Sequence, residues 1–188
     1  MANPIPGIAY DAPLPDPSSR WIHIITPQVG VPTRLCVLGR KAVPVLTHWL
    51  TDTKSGRGGR TVPHTTPDDT CPMCVQTGQI PRWHAYLACW WAHSARYCLA
   101  DLTLHAVQSC PNLSPKSGYD LRGMTICLRR IGTTNKSPVK AELEGLRIPD
   151  AKLPAEFDVK AALERLWGVR GSEFWRSGGD VDDVKRPV

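Results

Sequence analysis

A mainly β fold, closed into a small barrel, is what this sequence predicts, and three observations predict it. Prolines number 18 in 188 residues, roughly twice the usual ~5%, which leaves little room for long helices. Segments 83–92 (WHAYLACWWA) and 97–104 (YCLADLTL) alternate with the period of two that a strand requires. Segments 121–131 (LRGMTICLRRI) and 139–147 (VKAELEGLR) alternate as well. The 41% hydrophobic content supports one core of ordinary domain size. Its longest apolar run is far short of the ~18–20 residues that cross a bilayer, so no membrane role is expected.

The elements follow in order. Residues 1–32 hold seven prolines and read as an extended arm, with a short strand at 21–25. Residues 33–50 (TRLCVLGRKAVPVLTHWL) read as a first strand, bent at Gly39 and Pro44. Residues 51–82 are polar and rich in turn residues, too long for a bare connection unless something organises them. In the second strand, Trp83, Ala85, Leu87, Cys89 and Trp91 make one apolar face, and His84, Tyr86, Ala88 and Trp90 the aromatic, more polar one. In the third, Cys98, Ala100, Leu102 and Leu104 oppose Tyr97, Leu99, Asp101 and Thr103. Residues 105–113 predict a short helix stopped near Pro111. The fourth strand sets Met124, Ile126 and Leu128 against Thr125, Cys127 and Arg129; the fifth sets Val139, Ala141 and Leu143 against Lys140, Glu142 and Glu144. Residues 155–168 predict a helix with Phe157, Leu163, Leu166 and Trp167 on one stripe and Gly168 as its stop, within a C-terminal region 151–175. Residues 176–188 read as a tail. Five strands with a helix between the third and fourth make the string of an OB-like barrel, occupying 33–150 and presenting the face of strands 2 and 3.

Charge and cysteine content bound the partners. Residues 1–140 carry 15 basic and 7 acidic side chains, while every glutamate lies from 142 onward. A basic body favours an anionic partner, nucleic acid most simply, against ordinary surface solvation. Seven cysteines, an odd number, with no basic-then-apolar leader in the first twenty residues, fit a reduced cytoplasmic protein without paired disulfides.

Two constellations carry chemistry. His64, Cys71 and Cys74 form H-x6-C-x2-C inside the core-poor 51–82 loop. A Cys-x2-Cys turn lets two thiolates reach one tetrahedral ion, an imidazole adds a third ligand, and a structural zinc would give the loop the core it lacks. His48, at the end of strand 1, is the best fourth ligand by chain order, with His84 and Cys89 in reserve. Cys36, Cys98, Cys110 and Cys127 mostly alternate with apolar residues and read as small core or half-buried residues. The second constellation is aromatic and basic: Trp49, Tyr86, Trp90 and Tyr97 as platforms for bases, with Arg34, Arg122, Arg129, Arg130 and Lys140 near phosphates. The competing reading buries Tyr86 and Trp90 under the C-terminal helix.

Enzyme signatures are missing, and no enzymatic activity is expected. A zinc deaminase needs His-x-Glu ahead of Pro-Cys-x-x-Cys, but no glutamate precedes 142 and Thr70 precedes Cys71. There is no P-loop, GxSxG or HExxH. Arg57-Gly58-Gly59-Arg60 reads as a basic loop tip.

His64, Cys71 and Cys74, with the strand pattern across 83–147, give the chain a resemblance to the zinc-containing OB-fold single-stranded DNA-binding proteins of phages and related elements. The resemblance implies sequence-tolerant, cooperative coating of single strands in DNA replication or recombination. It also implies contacts to proteins of those processes through the C-terminal region. RNA remains an alternative ligand, and a zinc-stabilised protein–protein interaction module the alternative function.

Overall fold

The computed structural model describes residues 22–51, 59–64 and 71–167. Most of the proline-rich arm, the Arg57-Gly58 part of the loop tip, the end of the C-terminal region and the tail lie outside the described residues. The fold is mainly β. Its strands are β1 (His23–Ile25), β2 (Thr33–Val37), β3 (Val43–Thr51), β4 (Gly59–Pro63), β5 (Arg82–Trp91), β6 (Arg96–Thr103), β7 (Thr125–Arg130) and β8 (Val139–Glu144). The helices are α1 (Pro72–Thr77), α2 (Leu104–Ser109) and α3 (Val159–Trp167). None is long and apolar enough to cross a membrane. The described residues divide into two compact units, one within 22–43 and 85–162 and the other within 44–84 and 163–167.

In the first unit the strand order is β1-β6-β5-β2-β7-β8. Numbered as the sequence predicted them, the last five run third, second, first, fourth, fifth. Closing these five into a barrel requires the third and fifth, β6 and β8, to pair. The sheet is open instead, for two local reasons. β1 lies parallel along β6, pairing His23 with Cys98, Ile24 with Leu99 and Ile25 with Ala100. On the other side α2 packs against both β6 and β8. The Ser109 hydroxyl accepts from the Ala141 amide at 2.9 Å and lies 2.7 Å from the Ala106 carbonyl and 3.2 Å from that of Ala141. A side chain thus engages the β8 edge where a neighbouring strand would have run.

The first predicted strand is two, β2 and β3, interrupted over 38–42 around Gly39. The fourth begins at Thr125 rather than 121, because 121–124 is a turn. There Gly123 (φ 81°) donates to the Val37 carbonyl and accepts from the Ile148 amide, both at 2.8 Å. A Cβ at Gly123 would collide with the Ile148 carbonyl oxygen. Arg122 fastens the same corner, donating to Leu38 O at 2.6 Å and Pro154 O at 3.3 Å and pairing with Asp150 at 3.2 Å. The last helix starts at Val159, where the Asp158 carboxylate accepts from the Lys160 (2.8 Å) and Ala161 (3.2 Å) amides.

Burial corrects the expected faces. β8 keeps its alternation, with Val139 and Ala141 inside and Lys140 and Glu142 outside. Ala85–Trp90 of β5 and Tyr97–Leu102 of β6 are buried without interruption. These strands are covered on both faces, and a strand so covered has no outward side. Tyr86 is 0% exposed, Tyr97 4% and Trp90 6%. Trp90 meets Tyr97 edge-on at 5.1 Å, and Tyr97 meets Phe157 edge-on at 5.7 Å. The three aromatics predicted to face outward are core residues.

Candidate metal centre

In the second unit the expected polar loop is an antiparallel hairpin of β3 and β4 followed by α1. The register pairs His48 with Val62 and Trp49 with Thr61. His64 lies two residues past Val62, so it shares a face with His48 as a diagonal neighbour. Its amide bonds to Leu46 O at 2.8 Å, which extends the ladder by one step and fixes the imidazole. Cys71 stands immediately before α1, whose first residue is Pro72, a position that suits a residue with φ preset and no amide hydrogen. One helical turn sets Cys74 on the side of Cys71, with the Val75 amide bonded to Cys71 O at 3.0 Å. Gly78 (φ 64°) then stops the helix, donating to Cys74 O at 3.0 Å.

Four ligand atoms converge: His48 Nε2, His64 Nδ1 and the sulfurs of Cys71 and Cys74, all within 4.8 Å of one another. His48 Nε2 lies 3.0 Å from His64 Nδ1, 3.4 Å from Cys71 Sγ and 3.6 Å from Cys74 Sγ, and Cys74 Sγ is 3.6 Å from His64 Nδ1. One imidazole nitrogen carries at most one hydrogen and cannot serve three such partners by hydrogen bonding. A tetrahedral ion with ~2.05 Å bonds to nitrogen and ~2.3 Å to sulfur gives edges of ~3.3 Å for N–N and ~3.6 Å for N–S. Four of the cluster's six edges thus lie within about 0.3 Å of those of a tetrahedral N2S2 cage. His48 and His64 are each 2% exposed and Cys71 1%, while Cys74 is half-buried. The Nδ1 of His48 is buried with no hydrogen-bond partner among the described residues. Among the described residues that ring thus lacks the outer hydrogen bond most ligand imidazoles make.

Set against protein-family models, curated proteins and solved structures, the chain matches none.

Of the residues read from sequence as ligands, His64, Cys71, Cys74 and His48 come together, and the reserves His84 and Cys89 are not in the cluster. The predicted nucleic-acid residues do not form one surface. Besides the three core aromatics, Arg122 is spent on backbone carbonyls, and Arg130 donates to Pro27 O (2.8 Å) and Ser137 O (2.7 Å). Arg34 is exposed but grips Glu144, with Nε at 2.8 Å from Oε2. Lys140 is exposed and pairs with Glu142 at 2.8 Å. Arg129 is exposed and stands directly opposite Lys140 in the β7–β8 register. By register, Arg34, Arg129 and Lys140 share one face of β2, β7 and β8. Trp49, on β3 of the second unit, is 47% exposed. Sequence reasoning missed β4 and α1; Pro72 and Gly78, at the two ends of α1, were the available signals for the helix.

Proposed function

We propose that the chain is a single-stranded nucleic-acid-binding protein, DNA first, built on an OB-like strand path and braced by one structural zinc. The observation that carries this reading is the order β6-β5-β2-β7-β8, with α2 between the third and fourth predicted strands and a metal-type hairpin inserted between the first and second. An N2S2 tetrahedron of two imidazoles and two thiolates favours zinc over the harder divalent ions. With all four positions taken by protein, such a site is closed and structural, so no turnover is assigned to it. Seven cysteines, none in a disulfide, suit a reducing, cytoplasmic setting.

The binding elements proposed are those that remain exposed: Arg34, Arg129 and Lys140 in the first unit and Trp49 in the second. Like charges directly opposite across two strands repel; Glu142 offsets the Arg129–Lys140 repulsion in part, and a phosphate would relieve it further. A role in replication or recombination rests on the resemblance alone. The test is a tryptophan fluorescence titration with single- and double-stranded oligonucleotides at two salt concentrations, on the native chain and on Trp49→Ala and Arg129→Ala. Single-strand preference, reduced by both substitutions, supports the reading. No binding at moderate salt favours a zinc-stabilised protein-docking module instead. The burial of Tyr86, Trp90 and Tyr97 is the observation on that side.

A further inference from the structure

Three cysteine environments coexist in this chain. Cys36, Cys89, Cys98 and Cys127 are buried in the sheet. Burial pushes the Cys36 thiol up to about 11, Cys98 to about 12 and Cys89 well above its ordinary value. Cys127 is raised too, by burial first and the Glu144 carboxylate next. Such thiols are poor nucleophiles. Cys110 is half-buried at the end of α2 and outside the metal cluster. Cys74 is equally half-buried but belongs to the cluster, and it alone of the four ligands is not buried.

We infer that Cys74 is an oxidant-sensitive modification site, through which a hydroperoxide releases the metal and closes a Cys71–Cys74 disulfide. The inference rests on the metal reading above. Cys74 is the ligand sulfur open to an oxidant, and the second sulfur, Cys71, stands one helical turn away from it. The other three ligands are shielded by burial. With hydrogen peroxide as the hydroperoxide, the Cys74 thiolate attacks one peroxide oxygen, the O–O bond breaks, hydroxide leaves, and Cys74 becomes a sulfenic acid. Its sulfur is then a poor ligand, and the loosened Cys71 thiolate attacks it. The S–S bond forms as the sulfenic oxygen departs as hydroxide. Two thiolates lose two electrons, one peroxide gains them, two protons convert the hydroxides to water, and the ion leaves unchanged as a dication.

The backbone permits the disulfide. Cys71 and Cys74 span one helical turn, and a rise of ~1.5 Å per residue on a ~2.3 Å radius sets their Cα atoms about 5 Å apart, within the ~4.4–6.8 Å that disulfides bridge. The consequence is a hairpin unit whose brace is lost under oxidation and regained on reduction.

The experiment uses the full-length, zinc-loaded protein, so that no substitution risks the fold. Zinc content is measured first. Hydrogen peroxide is then titrated in the presence of a chromophoric zinc chelator, aliquots are quenched with N-ethylmaleimide, and each cysteine is mapped by mass spectrometry. The expected result is one zinc released per peroxide consumed, with a Cys71–Cys74 disulfide. Cys74 should react about tenfold faster than Cys110, which is equally half-buried but lies outside the cluster. Dithiothreitol with added zinc should restore the starting state. Zinc retained while Cys110 or a sheet cysteine oxidises overturns the inference and leaves the metal reading standing. A chain purified with ordered hairpin and no metal overturns the metal reading, and this inference with it.

Discussion

Replacing Trp90 with alanine separates a packing role from a binding role. The ring is 6% exposed and meets Tyr97 edge-on at 5.1 Å. A tryptophan side chain removes ~150–250 Å² from water, worth about 4–6 kcal/mol at ~25 cal/mol/Å². The compactness of the denatured chain lowers this by a tenth to two-fifths, and the edge-on pair adds ~0.5–1.5 kcal/mol. The expected loss is about 4 kcal/mol, inside the ~3–5 kcal/mol range of large aromatic-to-alanine changes in cores. Against a total of ~5–15 kcal/mol, this is a large share of the stability. At ~2–4 °C per kcal/mol for a chain of this size, the melting temperature should fall by roughly 8–16 °C. Urea denaturation followed by near-ultraviolet circular dichroism, with a thermal melt beside it, measures both. Trp90→Phe, which keeps an aromatic ring, should lose less than half as much. A Trp90→Ala protein within ~1 kcal/mol of the native midpoint that has lost affinity for single strands would refute the core assignment.

Three further outcomes follow from named contacts. Elemental analysis should find about one zinc per chain, and Cys71→Ser should bring it well below stoichiometric while α2 and the sheet persist by hydrogen exchange. Arg122→Ala leaves the Leu38 and Pro154 carbonyls without their guanidinium donor and Asp150 without one of its arginines; it should cost about 2–4 kcal/mol in urea unfolding, whereas exposed Arg34→Ala should change little. The Asp120 carboxyl is held below its ordinary range, first by the Arg122 amide and then by the charges of Arg40 and Arg147. Its contribution is complete above the unfolded value near ~3.9 and fades as pH falls through the lower folded value, so Asp120→Asn should flatten the acid limb of the stability profile and leave its slope near pH 7 unchanged.

The His2Cys2 cluster was legible because the spacing of its members is a local property. H-x6-C-x2-C named three of its members, and His48 followed from its place at the strand end. What no local pattern displayed was the β3–β4 register that sets His48 and His64 on one face. The aromatic face was misread for a physical reason. Alternation shows that a strand has two unlike faces, but it cannot say what covers each. In β5 and β6 both faces are covered, and Phe157, far along the chain, packs on Tyr97. The open sheet was equally hidden, since it depends on Ser109 meeting the Ala141 backbone and on β1 choosing the β6 edge.

The basic excess of residues 1–140 needs the same discrimination. A cation in a strand can reach outward for phosphate or inward for a carbonyl, and composition counts both alike. Arg122 and Arg130 reach backbone carbonyls, and Arg40 is divided between Asp120 at 2.5 Å and Asp150 at 3.4 Å. The shared face of β2, β7 and β8 retains Arg34, Arg129 and Lys140, with Glu142 and Glu144 beside them. Each phosphate neutralised on a single strand contributes about 0.7 to the slope of log K against log salt. Three cations therefore predict a slope near −2 for this face, shallower than the net charge alone suggests. Each also sets a carboxylate against a phosphate for the same cation, so Glu144→Gln should raise affinity for single strands at low salt by releasing Arg34. A slope steeper than about −4 would place the contacts on cations other than these three, and an unchanged affinity in Glu144→Gln would remove Arg34 from the proposed interface.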